Sequence, residues 1–293
     1  MEKKHLSKEV QEFMKACNCD DTKRILRILS DTWINYPTAL EALKIADRMI
    51  TRPRTNRPQC LQVIADPQNG KSSIRARILE LYPDKADGFG KIERPVVSFL
   101  MPAEPDVRSI ANEILNSMGQ PAHTGRPDQV LRSMYRHLSE YKVRVIEADE
   151  FHHVGHIPDK KQRIILDVLK NITTEAKVSI IAFGTEEGAQ MLTSDAQLYS
   201  RFDTLNLPIW ETNEDLQRLL ASIESILPLK DPSNLSDPVM ALALFERTNG
   251  TIGEIVRFCQ EAAVITIASG NESITLDLIK TMKFQTSKPK QAS

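Results

Sequence analysis

The residues Ala65-Asp66-Pro67-Gln68-Asn69-Gly70-Lys71-Ser72 lie between an apolar run, Cys60 to Ala65, and a helical pattern from Ser72 to Tyr82. Strand, glycine-bearing loop and helix in that order form a phosphate loop, G-x-x-x-x-G-K-[ST], here with alanine in place of the first glycine. Gly70 frees the backbone to curl around phosphates, and the N–H groups that follow point out of a helix N-terminus, where an anion is stabilised. The spacing predicts an anion cradle from Asp66, Gln68, Asn69 and Gly70 through Lys71, Ser72 and Ser73. Lys71 is expected to reach the β- and γ-phosphates of ATP, and the Ser72 hydroxyl to ligate Mg2+. Ala65 puts a Cβ where the pattern has glycine, and Pro67 removes one backbone donor.

Such a loop needs an acidic partner at the end of a neighbouring strand. Val143-Arg144-Val145-Ile146-Glu147-Ala148-Asp149-Glu150 supplies one, with Asp149 placed to hold Mg2+ and Glu150 to orient or deprotonate water. Glu147 is a third acid inside a strand that should be buried, so it must be paired, lie near an edge or mark an earlier strand end. Further strands are predicted at Pro95 to Met101, Lys142 to Ala148, Val178 to Phe183 and Thr204 to Pro208, alternating with helical patterns at 107–118, 127–141 and 160–174. That alternation gives an α/β fold: a five-stranded parallel sheet with helices on both faces and ligand sites beyond the carboxyl ends of the strands. Thr185, after one strand, and Arg201, just before the last, join the candidate site by placement. Thr185 can bond the γ-phosphate or the water, and Arg201 can reach a neighbouring subunit's phosphate.

The expected organisation is an N-terminal helical segment (1–55), the nucleotide-binding core (56–209), an α-helical lid (210–285) and a disordered tail (286–293). Thr212 and Asp215 form a capping box ahead of the apolar series Leu216, Leu219, Leu220 and Ile223. His152 and His156, four apart, invite a zinc reading, but there is no H-E-x-x-H pattern and no thiol nearby, so the histidines read as a post-strand turn that senses nucleotide or contacts a neighbour.

Composition sets the outer limits. The 293 residues are 41% hydrophobic and 26% charged, with 11 Gly and 16 Pro, which excludes collagen-like and wholly disordered chains. No apolar run approaches the roughly 18 residues of a membrane span, and the start has no signal-peptide stretch, so a cytoplasmic location is expected. Lysine plus arginine, 38, balances aspartate plus glutamate, 39, so no global basic field advertises nucleic acid. Two local basic segments remain, 41–60 and the end of the chain from Leu278. Cys17, Cys19, Cys60 and Cys259 read as reduced structural thiols.

Taken together these motifs resemble an AAA+ ATPase, and more narrowly the TniB/TnsC family of transposition regulators. The resemblance rests on Asp31-Thr32-Trp33-Ile34-Asn35-Tyr36-Pro37-Thr38-Ala39, Asn69-Gly70-Lys71-Ser72 and Asp149-Glu150-Phe151-His152-His153, with Phe183-Gly184-Thr185, Ser200-Arg201-Phe202 and Gly250-Thr251-Ile252-Gly253-Glu254-Ile255. It implies a slow, regulatory ATPase that assembles as a ring or helical filament on double-stranded DNA, recruits a DDE-type transposase and answers to a TniQ-like targeting protein. It also implies Thr185 as sensor, Arg201 as a finger acting in trans, and Arg108, Thr124 and Arg126 as contacts to DNA phosphates. Glu254 stands near where many AAA+ lids carry a nucleotide-sensing arginine, with Arg257 a possible substitute. A helicase loader or remodelling ATPase is the alternative reading.

Overall fold

The computed structural model describes residues 5–86, 88 and 90–286, so most of the expected disordered tail lies outside the described residues. The chain forms two compact units, residues 37–207 and residues 5–36 with 208–286. The first 55 residues are therefore divided between the units. No helix among the described residues is long and apolar enough to cross a membrane.

Residues 37–207 are built on a sheet of five parallel strands, β1 (Cys60–Ile64), β4 (Val96–Leu100), β5 (Val145–Asp149), β6 (Ser179–Gly184) and β7 (Phe202–Asn206). Their order across the sheet is β4-β5-β6-β1-β7. A small antiparallel pair, β2 (Lys85–Ala86) and β3 (Ile92–Glu93), precedes β4 and has no counterpart among the strands expected from sequence. From β1 the chain crosses to the far edge, returns through β5 and β6, then passes over β1 to β7. The order thus reverses around β1, and ligands of open α/β sheets bind outside the carboxyl ends of the strands at such a switch point.

Strands β1, β5 and β6 are buried along their whole length. They read as near-continuous apolar runs because helices cover a parallel sheet. Phe99, Ile146, Ile180 and Phe151 pack in one core with Ile110, Ile114 and Leu115 of α5 (Val107–Ser117), Met134 and Leu138 of α6 (Pro127–Glu140) and Leu166 and Leu169 of α7 (Asp159–Asn171). Each such side chain is worth about 1.5–3 kcal/mol when fully buried. The helix α3 (Pro37–Thr51) buries an alanine-rich face, Ala39, Ala42 and Ala46, with Ile45, Met49 and Ile50, and packs on α4 (Lys71–Leu81) and β1. Small side chains let it lie close, which is why it belongs with the core and not with the helices before it.

The second unit holds α1 (Lys8–Ala16), α2 (Asp21–Leu29), α10 (Glu214–Ile226), α11 (Pro238–Arg247), α12 (Ile252–Ala268) and α13 (Leu276–Thr281). Arg24 of α2 is fully buried. Its Nε donates to the Pro228 carbonyl at 2.8 Å, and its guanidinium pairs with Asp21 and Glu272. A buried guanidinium is tolerated only when paired and hydrogen-bonded in this way. Tyr36 meets Trp210 edge-on at 5.6 Å, so the W-I-x-Y-P stretch closes onto the start of the C-terminal helices. Asn213, not Thr212, caps α10, its side chain accepting from the N–H groups of Asp215 and Leu216. Thr212 thus lies one residue outside the expected box.

Candidate functional site: the carboxyl ends of three adjacent strands

Pairing places Ile64 beside Gly184 and Ala148 beside Ala182, so β1, β6 and β5 end side by side. Three chain segments leave the sheet there. After β1 comes the loop Ala65 to Gly70, with the Ala65 N–H donating to the Gly184 carbonyl at 3.1 Å. Ala65 is buried, and the loop turns by taking Gln68 (φ 59°) and Gly70 (φ 87°) into the left-handed region. Gly70 caps α4, whose first N–H groups are left without an internal partner. Asn69 is buried, its amide donating to the Leu207 carbonyl at 3.5 Å, which anchors the loop to the segment after β7. Asp66, Gln68, Ser72 and Ser73 are exposed.

Lys71 folds back over the loop, its Nζ donating to the carbonyls of Ala65 at 2.6 Å and Asp66 at 2.9 Å. Burial pushes the ammonium pKa down, against the pull of Glu150, Asp149 and Asp66. A cation held on carbonyls with three carboxylates around it sits where an anionic ligand exchanges one set of oxygens for another.

Asp149, the last residue of β5, is buried, and Glu150 then turns the chain in the left-handed region at φ 53°. Asp149 Oδ1 accepts from the Glu150 N–H at 2.9 Å, and Oδ2 lies 3.3 Å from Nε of Arg75, one turn along α4 from Lys71. Arg75 also donates to the Ser98 hydroxyl at 3.2 Å. Arg75 was not among the residues expected at the site, although its i, i+4 spacing from Lys71 puts both on one helix face. The two oxygens of Asp149 and the exposed hydroxyl of Ser72 fit the oxygen donors that Mg2+ takes.

Glu147 is fully buried in the middle of β5, facing Ser98 across the β4 pairing. It is neither at an edge nor past the strand end, two of the three resolutions expected for it. Burial pushes its carboxyl up to about 8, with the Ser98 hydroxyl and the Arg75 guanidinium working in the opposite direction and Asp149 adding to the rise. The acid is kept by neutralisation, which a pattern of apolar residues does not reveal.

After β6, Thr185 opens α8 (Glu186–Leu192), and its hydroxyl is buried without a hydrogen-bond partner among the described residues. A buried hydroxyl left unsatisfied at the mouth of a site is a group for a ligand to meet. The helix α8 packs on the short 3-10 turn Phe151–His156, and Gly188 permits it: a Cβ there would stand 2.8 Å from the His152 Cα. His152 Nδ1 is 3.2 Å from Glu150 Oε2. Burial holds the His152 pKa down; Glu150 opposes this, whereas His153, His156 and Lys71 add to it.

Arg201 lies elsewhere. Its carbonyl accepts from the Cys60 N–H at 2.8 Å, which places it at the amino end of β1. Five residues at about 3.3 Å each put it roughly 16 Å from its own phosphate loop. In this chain its guanidinium is held by the hydroxyls of Thr173 and Thr174, in the π-helical turn Ile172–Ala176 that ends α7. Arg108, Thr124 and Arg126 are exposed. The turn carrying Thr124 is tied to α5 through two hydrogen bonds between Asn112 and the His123 backbone, 2.8 and 3.2 Å, so it lies one helical turn from Arg108. Arg126 is 3.6 Å from Asp128. In the second unit Glu254 is buried and accepts from the Asn249 N–H at 2.8 Å, while Arg257 stacks on Phe284 with its guanidinium 4.6 Å from the ring centre.

The parallel sheet, its strand order and the loop that follows β1 define the fold of AAA+ ATPases. Solved structures with that fold are similar over most of this chain. The Aeropyrum pernix ORC2 protein in ADPNP–ADP complexes matches with 15% identity and a TM-score of 0.60, covering 87% of this chain and 70% of that one. The A. pernix ORC1 protein in complex with DNA matches with 18% identity and a TM-score of 0.57, covering 87% and 67%. Drosophila ORC bound to DNA matches with 12% identity and a TM-score of 0.56, covering 89% and 64%. Among curated proteins no sequence matches. The family model described as Bacterial TniB protein matches residues 24–212, and the chain belongs to that family.

Proposed function

We propose that this protein is an ATP-switched, DNA-binding regulator of transposition that hydrolyses ATP slowly. The observation that carries the reading is the convergence of Lys71, Asp149, Glu150 and the Thr185 hydroxyl, unpartnered among the described residues, at the carboxyl ends of three adjacent strands, with Arg201 at the opposite, amino end of the strands. The backbone from Asp66 to Gly70 and the first N–H groups of α4 cradle the phosphates, and Lys71 leaves its two carbonyls to meet them. Ser72 and Asp149 hold Mg2+, which neutralises phosphate charge. For Asp149 to do so, Arg75 gives up part of its contact with Oδ2. Glu150 orients water, and Thr185 marks the γ-phosphate position.

Because Arg201 stands about 16 Å from its own loop, it serves the site of a neighbouring subunit, which makes hydrolysis a property of an assembly. A ring or filament on double-stranded DNA supplies that neighbour. Arg108, Thr124 and Arg126 touch DNA phosphates without reading sequence, a few contacts per subunit summed over many. The family membership supports a DDE transposase and a TniQ-like targeting protein as partners. DNA binding measured by anisotropy on a labelled duplex tests the switch. Lys71→Ala is expected to lose ATP-dependent binding, whereas Glu150→Gln retains it and holds it after ATP is exhausted in the wild type. A Glu150→Gln protein unable to bind DNA with ATP overturns the reading.

A further inference from the structure

In Asp149-Glu150-Phe151-His152-His153 the sequence pattern alone assigns the histidines to a nucleotide-sensing or neighbour-contacting turn and sets zinc aside. In the structure the 3-10 turn Phe151–His156 folds three imidazoles against one another, with ring centres 4.7 Å apart for His152 and His153, 5.5 Å for His152 and His156, and 6.1 Å for His153 and His156. Glu150, His152 and His153 each offer a donor atom within 4.8 Å of the other two. His153 Nδ1 lies 3.0 Å from the Met101 carbonyl. A carbonyl only accepts, so Nδ1 carries the proton and the lone pair of Nε2 is left free. Fixing one ring nitrogen on a backbone carbonyl is how proteins orient a metal-ligating histidine.

The turn is also held in place. The helix α8 packs against the His152 backbone at Gly188, and a Cβ at Gly184 would stand only 3.5 Å from the His152 nitrogen. Two imidazoles and a carboxylate are a donor set for Zn2+, whereas Mg2+ prefers oxygen. Zinc at about 2.0–2.2 Å from each donor needs them roughly 3.3 Å apart. The donors therefore close by rotation of side chains on a fixed turn, and the Glu150 side chain, 42% exposed, is free to rotate.

We propose that Glu150, His152 and His153 form a Zn2+ site, with water or His156 in the fourth position, and that occupancy withdraws Glu150 from water activation. The second half of this statement rests on the ATPase reading above; the first does not. Chelator-stripped protein, free of nucleotide, is titrated with Zn2+ against a chromophoric zinc indicator. One equivalent is expected to bind, with the affinity falling at least tenfold in His152→Gln, in His153→Gln and in Glu150→Gln. Glu150→Gln changes an exposed side chain, so it tests the site even where a histidine variant folds poorly. The double variant Cys17→Ser, Cys19→Ser is expected to bind as wild type, and the Co2+ form to show no thiolate-to-cobalt charge-transfer band. Absence of stoichiometric binding, or binding unchanged in His152→Gln and His153→Gln, overturns the site. Protein that takes zinc but never hydrolyses ATP overturns the ATPase reading alone, and protein that hydrolyses ATP at an unchanged rate with zinc bound overturns the withdrawal of Glu150.

Discussion

Glu147→Gln is expected to make the nucleotide-binding core more stable at neutral pH, an unusual direction for a change in the centre of a sheet. Glu147 is fully buried, and its carboxyl rises from 4.5 to about 8. The folded protein therefore keeps a proton that the unfolded chain releases above pH about 4.5. Stability falls as pH rises through the window from about 4.5 to about 8, and is constant for this group on either side. At 1.36 kcal/mol per pH unit the loss reaches about 3 kcal/mol at pH 7 and about 5 kcal/mol at the top of the window. Glutamine has nearly the same shape and no proton to lose. It needs partners for its amide in both arms of the comparison, a cost that offsets the curve without tilting it. Urea unfolding followed by circular dichroism at several values between pH 5 and 8 reads this as the difference between variant and wild type. The difference is expected to grow in favour of glutamine by a few kcal/mol across the range. A difference that stays constant with pH refutes the neutral Glu147 and returns the residue to an ionised pair with Arg75.

Arg201→Ala is expected to lower ATP turnover at least tenfold while costing the isolated chain about 1 kcal/mol for its lost bonds to Thr173 and Thr174. Mixing it with Lys71→Ala in equal amounts should restore part of the turnover, because each supplies what the other lacks; a mixture as inactive as its parts argues against action in trans. Gly188→Ala forces a Cβ to within 2.8 Å of the His152 Cα and should destabilise the protein by about 1–3 kcal/mol, read as a lower melting temperature. Arg24→Ala leaves Glu272 with Lys230 as its one cationic partner among the described residues and opens the seat of a buried guanidinium, so a loss of about 3–5 kcal/mol is expected in urea unfolding followed by fluorescence of Trp33 and Trp210, both in the same unit.

The sheet was legible because each central strand is an apolar run bounded by turn residues, and the observed strands differ from the expected ones by at most three residues at their ends. The phosphate loop was legible because its glycine, lysine and serine carry a fixed mechanism at a fixed spacing. Other features depend on the surroundings a residue acquires only on folding. Glu147 read as a charge in need of a partner, and its surroundings remove the charge. Residues 186–199 have too weak a period to announce α8 and the short α9 (Ala196–Tyr199). The split after Tyr36 follows from the alanine face of α3, which matters only against α4 and β1. The four-residue spacing of His152 and His156 was visible in the sequence, but the grouping of Glu150, His152 and His153 was not, because a 3-10 turn, with its tighter winding than an α-helix, brings these side chains together. Arg75 belongs to the site through a helix face that the loop motif does not include.

On the proposed reading, ATP binding at the ends of β1, β5 and β6 assembles this chain on DNA. Electron microscopy of the protein with double-stranded DNA, in ATP, a slowly hydrolysed analogue and ADP, tests it most directly. Rings or filaments on DNA with either triphosphate, and none with ADP, are the predicted result. Particles that ignore DNA in all three states, or that coat it equally in ADP, rule out an ATP-driven assembly.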